Sequence, residues 1–126
     1  MDRSLTVLLP VRNAENTLAS TVNDVLEVAS ELSSKFELVI VDDGSTDATS
    51  EIAQELTIHY PQVKACSHGS HLGNSAAIKT GLQHASGQVV VLRDGAKVML
   101  DEEMHGSSKP NRPNYLGRLK NFTLGE

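Results

Sequence analysis

Apolar residues fall along this chain in two rhythms. Nearly unbroken runs, Leu5 to Val11, Phe36 to Val41 and Val89 to Leu92, interrupted only by Thr6 and Glu37, alternate with stretches in which apolar residues recur every three or four positions. A nearly unbroken run of this length suits a strand buried on both faces, because a strand with one wet face would alternate. Between the first two runs, Leu18, Val22, Val25, Leu26, Ala29 and Leu32 keep helical spacing with Glu27 and Glu31 between them, which predicts an amphipathic helix capped by Asn13. Ile52 and Leu56 mark a second helix, with Ser45 or Thr46 as its cap and Asp47 favourably placed in its first turn. The segment "QVKACSH" reads as a weaker third strand. A loop from His68 to Ser75 follows, and then a third helix carrying Ala77, Ile78, Gly81, Leu82 and Ala85 on one side.

Strand and helix thus alternate with short connections. This predicts an α/β domain, Rossmann-like, with three α/β/α layers around a mostly parallel sheet. Right-handed crossovers bring the carboxyl ends of all the strands to one edge. That edge collects Pro10 to Asn13, Asp42 and Asp43, His68 to Gly73, and Asp94 to Ala96, where sheets of this kind take their ligands.

Composition narrows the setting. With 126 residues, 39% of them hydrophobic, the chain can fill one modest core. Cys66 is the single cysteine, so no intramolecular disulfide forms and a reducing, cytoplasmic location is expected. No stretch approaches the roughly 20 apolar residues of a transmembrane segment. The net charge of -5 is uneven: residues 1–104 carry 7 basic and 15 acidic side chains, and residues 105–126 carry 4 basic and 1 acidic. An acidic body excludes ordinary nucleic acid binding. The division predicts a domain over 1–104 followed by an irregular basic tail over 105–126, rich in Gly, Ser, Pro and Asn.

The chemistry-bearing residues each have a plain alternative. "DDGS" makes a good turn, yet a carboxylate from Asp42 or Asp43 at a strand end can also accept hydrogen bonds from a base or ribose. The His68 to Ser75 loop opens a helix whose free amides could meet phosphate, although it matches neither a Walker loop nor a dinucleotide fingerprint. Cys66, His68 and His71 invite a zinc reading, but their spacing fits no common structural zinc pattern. In the fourth strand, Val89, Val91 and Arg93 share one face while Val90, Leu92 and Asp94 share the other. Asp94-Gly95 could be only a turn.

Together, "TVLLPVRNAENTL", "ELVIVDDGSTDATSEIAQEL" and "GNSAAIKTGLQHASGQVVVLRDGA" resemble family 2 glycosyltransferases of the GT-A fold, especially the branch containing dolichyl-phosphate mannose synthases. The resemblance covers about the first 100 residues. It implies a UDP- or GDP-linked nucleotide-sugar donor whose base lies against Pro10, Val11, Arg12 and Asp43. It also implies a DxD motif that would hold Mg²⁺ or Mn²⁺ on the diphosphate. Asp94 takes the first DxD position and Ala96 the second, so one metal ligand is replaced by a side chain with no donor atom. Arg12, where the family usually has tyrosine, and Arg93 are then candidates to offset the diphosphate charge.

The resemblance further implies a sheet order of 3-2-1-4 and an acceptor-binding half that this sequence does not match, a truncated GT-A fold. The far edge of the fourth strand is accordingly expected to be covered by the tail or by a second copy in a homodimer. A sugar transferase incomplete or inactive as an isolated chain is the first expectation. A non-catalytic binding or assembly module that keeps the fold is the second. A phosphoacceptor signalling domain fits less well, since its acidic pair would follow the first strand.

Overall fold

The computed structural model describes residues 3–93 and the backbone of residues 97–100. In chain order these form β1 (Leu5–Val11), α1 (Leu18–Leu32), β2 (Phe36–Asp42), α2 (Thr49–His59), β3 (Val63–Ser67), α3 (Asn74–His84), β4 (Val89–Leu92) and β5 (Lys97–Leu100). One sheet holds all the strands in the order β3-β2-β1-β4-β5. Its first four members are parallel, and β5 joins β4 antiparallel. The α/β class and the 3-2-1-4 order expected from the sequence are both present.

The nearly unbroken apolar runs are explained by two-sided packing. Leu5, Val7 and Leu9 of β1, Leu38 and Ile40 of β2, and Val89 and Val91 of β4 face one core with the apolar stripe of α1 and with Ala53 and Leu56 of α2. The intervening Leu8, Val39, Val41 and Val90 face a smaller core closed by Ala77 of α3. Right-handed crossovers require this division: the chain moves outward from β1 to β3 across one face and must return to β4 across the other. Each fully buried Leu, Ile or Val contributes about 1.5–3 kcal/mol relative to exposure.

Two details depart from the sequence reading. Asn13 does not cap α1, which begins after Thr17. Instead Asn13 turns the chain with φ 52, and its Oδ1 accepts from the Thr46 amide. Likewise neither Ser45 nor Thr46 caps α2, whose N-cap position is Ala48; Asp47 precedes the helix rather than lying in its first turn, and its Oδ1 accepts from the Thr49 amide at 2.9 Å.

The edge of β4 is also met differently. Lys97–Leu100 folds back on it, with Val89 opposite Leu100, Val90 opposite Met99, and a register shift before Val91 and Lys97. A four-residue strand carrying one apolar triplet was too weak a signal to read. The pairing that β4 demands is thus supplied from within the 1–104 body, which removes the reason for expecting the tail or a homodimer there. The tail over 105–126 lies outside the described residues. Among the described residues, no helix is long and apolar enough to cross a membrane.

Candidate functional site

The carboxyl ends of β1 and β2 are neighbours in register, Val11 opposite Asp42, so the loops that follow them meet. They are joined by polar groups from both sides. Ser45 Oγ accepts from the Asn13 amide at 2.8 Å, Thr49 Oγ1 accepts from the Ala14 amide at 2.7 Å, and Glu15 Oε1 accepts from the Ala48 amide at 2.9 Å. Much of "GSTDAT" therefore serves to fasten the β1 loop and fix where Pro10, Val11 and Arg12 stand. Sequence reading assigned these residues to helix capping because it could not see that the two loops touch.

Strand alternation separates the two aspartates. Asp42 follows Leu38 and Ile40 onto the α1/α2 face, where it is buried and its Oδ1 accepts from the amide and hydroxyl of Ser45. It closes the turn and is not among the residues lining the cleft. Asp43, one position on, continues the ladder by donating its amide to the Val11 carbonyl at 2.9 Å. Its side chain falls on the α3 face and lines the cleft.

Four nitrogens surround the Asp43 carboxylate. Oδ1 accepts from His68 Nδ1 at 2.7 Å and the Leu72 amide at 2.9 Å. Oδ2 accepts from the Gly73 amide at 2.9 Å and has His71 Nδ1 at 2.8 Å as an ion-pair contact. Hydrogen bonding from His68, then from the Leu72 amide, holds this carboxyl well below its ordinary range; burial opposes this, and the Gly73 amide and the His71 charge add to it. A carboxylate has about four lone-pair sites, and here each oxygen already has two nitrogens.

Gly44 sets how closely the loop approaches. Its φ of +72 suits glycine, and a Cβ there would lie 2.4 Å from the Ser70 carbonyl carbon and 2.5 Å from the His71 nitrogen. The segment bearing both histidines thus rests directly on the β2 turn.

Pro10, Val11, Arg12 and Asp43 are brought together in one cleft with His71, Asn74 and Ala77. A second hollow, lined by Leu9, Pro10, Asn74, Leu92 and Arg93, shares Pro10 and Asn74 with it. The two form a groove across the end of β1, toward the point where strand order reverses between β1 and β4. His71 and Asn74 were not foreseen as lining residues. Glycines beside a helix start were the available signal, but nothing in the sequence shows which loop side chains face inward.

The zinc reading is not supported by this geometry. Cys66 Sγ donates to the Ile40 carbonyl at 3.7 Å, and burial pushes its thiol pKa up, whereas His68 and His71 are committed to Asp43. Among the described residues, no three His, Cys, Asp or Glu side chains gather to hold a metal. Asp94 and Ala96 lie outside the described residues.

A mostly parallel α/β sheet with clefts at its carboxyl edge, beside the strand-order reversal, is the arrangement in which open α/β folds take their ligands. The sequence profile of Glycosyl transferase family 2 matches residues 6–102, and the chain belongs to that family. It is 32% identical over 88 residues to the uncharacterized glycosyltransferase YkcC of Bacillus subtilis, covering 70% of this chain and 27% of that protein. It is 30% identical over 107 residues to the dolichyl-phosphate beta-glucosyltransferase ALG5A of Trichomonas vaginalis, covering 79% and 33%. Among solved structures, the mannosyltransferase PcManGT from Pyrobaculum calidifontis, in complex with GDP-Man and Mn²⁺, superposes with a TM-score of 0.64 at 25% identity, covering 71% of this chain and 26% of that one. TarS from S. aureus in complex with UDP superposes with a TM-score of 0.60 at 26% identity, covering 73% and 26%. The chain spans about a third or less of each of these proteins.

Proposed function

We propose that this domain binds a nucleotide-diphospho-sugar donor, UDP- or GDP-linked, in the groove from Asp43 to Arg93, for transfer of the sugar to an acceptor. The supporting observation is that Pro10, Val11, Arg12 and Asp43 converge on one cleft, in a fold shared with proteins solved with GDP-Man or UDP. In this reading the base lies against Pro10 to Arg12, and the diphosphate extends toward Arg93. Arg12 and Arg93 offset its charge, since guanidinium pairs well with phosphate oxygens. Asp42 acts through the turn it closes. No described residue is assigned to the acceptor or to a general base.

A divalent ion at the diphosphate would supply charge neutralisation there. Asp94 is the one candidate ligand in the DxD position, and Ala96 offers none, so Mg²⁺ or Mn²⁺ is held weakly here. A cytoplasmic setting fits the lone Cys66.

Titration with UDP, GDP and their sugar conjugates, followed by backbone amide shifts, tests the reading. Saturable shifts at 10–13, Asp43 and His71 are expected, nearly independent of Mn²⁺. The Ala96→Asp variant is expected to gain Mn²⁺ dependence. Absence of any shift at millimolar nucleotide would favour the second reading, a non-catalytic assembly module; the loss of the second DxD aspartate favours that reading as well.

A further inference from the structure

Arg12 is exposed on the cleft wall, and its guanidinium makes no hydrogen bond or ion pair to any described residue. Such a side chain is aimed only by the backbone that carries it, and it loses rotamer freedom when it binds. That backbone is held on both sides of Arg12. Before it, the Val11 carbonyl accepts from the Asp43 amide at 2.9 Å. After it, the Asn13 amide donates to Ser45 Oγ at 2.8 Å, and Asn13 Oδ1 accepts from the Thr46 amide at 2.8 Å. Ser45 Oγ in turn donates to Asp42 Oδ1, a carboxylate only 2% exposed, so the hydroxyl lone pairs face Asn13. Among the described residues, Asn13 is also the one residue other than glycine with positive φ, at 52. Asparagine enters this left-handed region more readily than most residues that carry a Cβ.

We propose that Asn13 is a positioning residue, one that aims the Arg12 guanidinium at the diphosphate of the donor. This rests on the donor-site reading above and adds to it the group that sets the arginine's direction. The two aspartates then divide by task. Asp43 moulds the wall that carries His71, and Asp42, through Ser45 and Asn13, fixes the wall that carries Arg12. An arginine already turned toward phosphate oxygens keeps more of the energy of its paired hydrogen bonds, because less freedom is lost on binding. Thr49 Oγ1 and Glu15 Oε1 tie the same loop at Ala14 and Glu15, so loss of the Asn13 side chain loosens the aim of Arg12 without releasing the loop.

Salt dependence separates aiming from folding. In the full chain, titrated with UDP or GDP and followed by backbone amide shifts, Arg12→Ala is expected to weaken binding about tenfold and to flatten the dependence of affinity on salt, since its pairing with phosphate is electrostatic. Asn13→Ala is expected to weaken binding about fivefold and to flatten the same dependence, while the uncharged nucleoside, uridine or guanosine, binds within about twofold of wild type. In the Arg12→Ala background it is expected to add less than about twofold, because both changes act on one interaction. Asn13→Gly adopts the same φ without strain and covers the case in which the alanine variant does not fold; it is expected to lose about threefold, from the missing Oδ1 bond alone. Losses that add in the double variant, or a nucleoside weakened as much as the diphosphate with the salt dependence unchanged, overturn the role of Asn13 while leaving the donor site standing. An Arg12→Ala variant that binds as tightly as wild type does the same. Failure of wild type to bind either nucleotide overturns both.

Discussion

The two ends of β2 each carry a carboxylate withdrawn from water, and they are used differently. At the amino end, Glu37 Oε2 accepts from Thr6 Oγ1 and the Ser86 amide, both at 2.6 Å, while Oε1 pairs with Lys64 Nζ at 2.8 Å. Those partners come from β1, the turn before β4, and β3. At the carboxyl end, all four partners of Asp43 come from the single segment His68 to Gly73. Glu37 therefore ties separate strands together, whereas Asp43 shapes one loop and presents it to a cleft. A carboxylate with partners dispersed in sequence braces a fold; one with partners in a single loop moulds a surface.

A glycine stands beside each carboxylate network and offers the sharpest way to break the contrast. Gly44→Ala combines a positive φ with overlap against the backbone of Ser70 and His71. It is expected to lower stability by about 3 kcal/mol in chemical denaturation and to abolish nucleotide-induced amide shifts. Gly87→Ala would place a Cβ 2.6 Å from Thr6 Oγ1 and 2.8 Å from the Thr6 nitrogen. A loss of about 2 kcal/mol is expected there, with nucleotide affinity retained. If both variants lose binding equally, the two ends are not separable in function.

The carboxylates themselves come next. Glu37→Ala strands the Thr6 hydroxyl and the Ser86 amide and is expected to cost about 1–3 kcal/mol, with nucleotide affinity unchanged. Asp43→Asn replaces one acceptor oxygen with a donor, and is expected to weaken nucleotide binding more than tenfold while the global unfolding midpoint moves little. Hydrogen exchange at Leu72 and Gly73 would show whether the loss is confined to the loop.

Much of this arrangement was legible in the residues. Continuous apolar runs pointed to the parallel sheet, because two-sided burial removes alternation, whereas its 3-2-1-4 order came from the family resemblance. Pro10, Val11, Arg12 and Asp43 met in one cleft as the carboxyl-edge argument required. What could not be read was contact between loops: Asn13 and Ser45 are 32 positions apart and join only because β1 and β2 pair in register. The same limit hid His71, whose role depends on which way a glycine-flanked loop leans. The period of two could have separated Asp42 from Asp43 beforehand, since it places Asp43 with Val39 and Val41 on the α3 side.

Acid sharpens the comparison with a smaller effect. At Glu37 burial raises the pKa, but the bonds from Lys64, Thr6 and Ser86 outweigh it and the net shift is downward. Asp43 is shifted downward as well, and further. A depressed folded pKa means that each group's contribution is fully present above its ordinary value, 4.5 for Glu37 and 3.8 for Asp43, and is lost as pH falls through the folded one. The stability gap between wild type and Glu37→Gln should therefore narrow first on acidification, while protection of the Leu72 and Gly73 amides by Asp43 persists to lower pH. Urea unfolding and hydrogen exchange between pH 7 and pH 3 would show the order, and its reversal would mean that the loop network is the weaker of the two.

The smallest effect expected belongs to Lys64, which tests whether Glu37 braces the sheet through its charge or through its hydrogen bonds. Lys64 Nζ reaches both Glu37 Oε1 and the His84 carbonyl, at 2.8 and 3.1 Å, but its side chain is 46% exposed. Water and salt screen such a pair, so Lys64→Met should cost less than about 1 kcal/mol and the cost should shrink further in high salt. The Thr6 bond is shielded from water, since Thr6 is fully buried and the Gly87 amide also donates to its hydroxyl at 2.9 Å, and the Ser86 amide, though exposed, is an uncharged donor that salt screens less. A Lys64→Met cost equal to that of Glu37→Ala would place the brace in the ion pair. A cost several times smaller would place it in the neutral donors, the Thr6 hydroxyl and the Ser86 amide, which converge on one carboxylate oxygen.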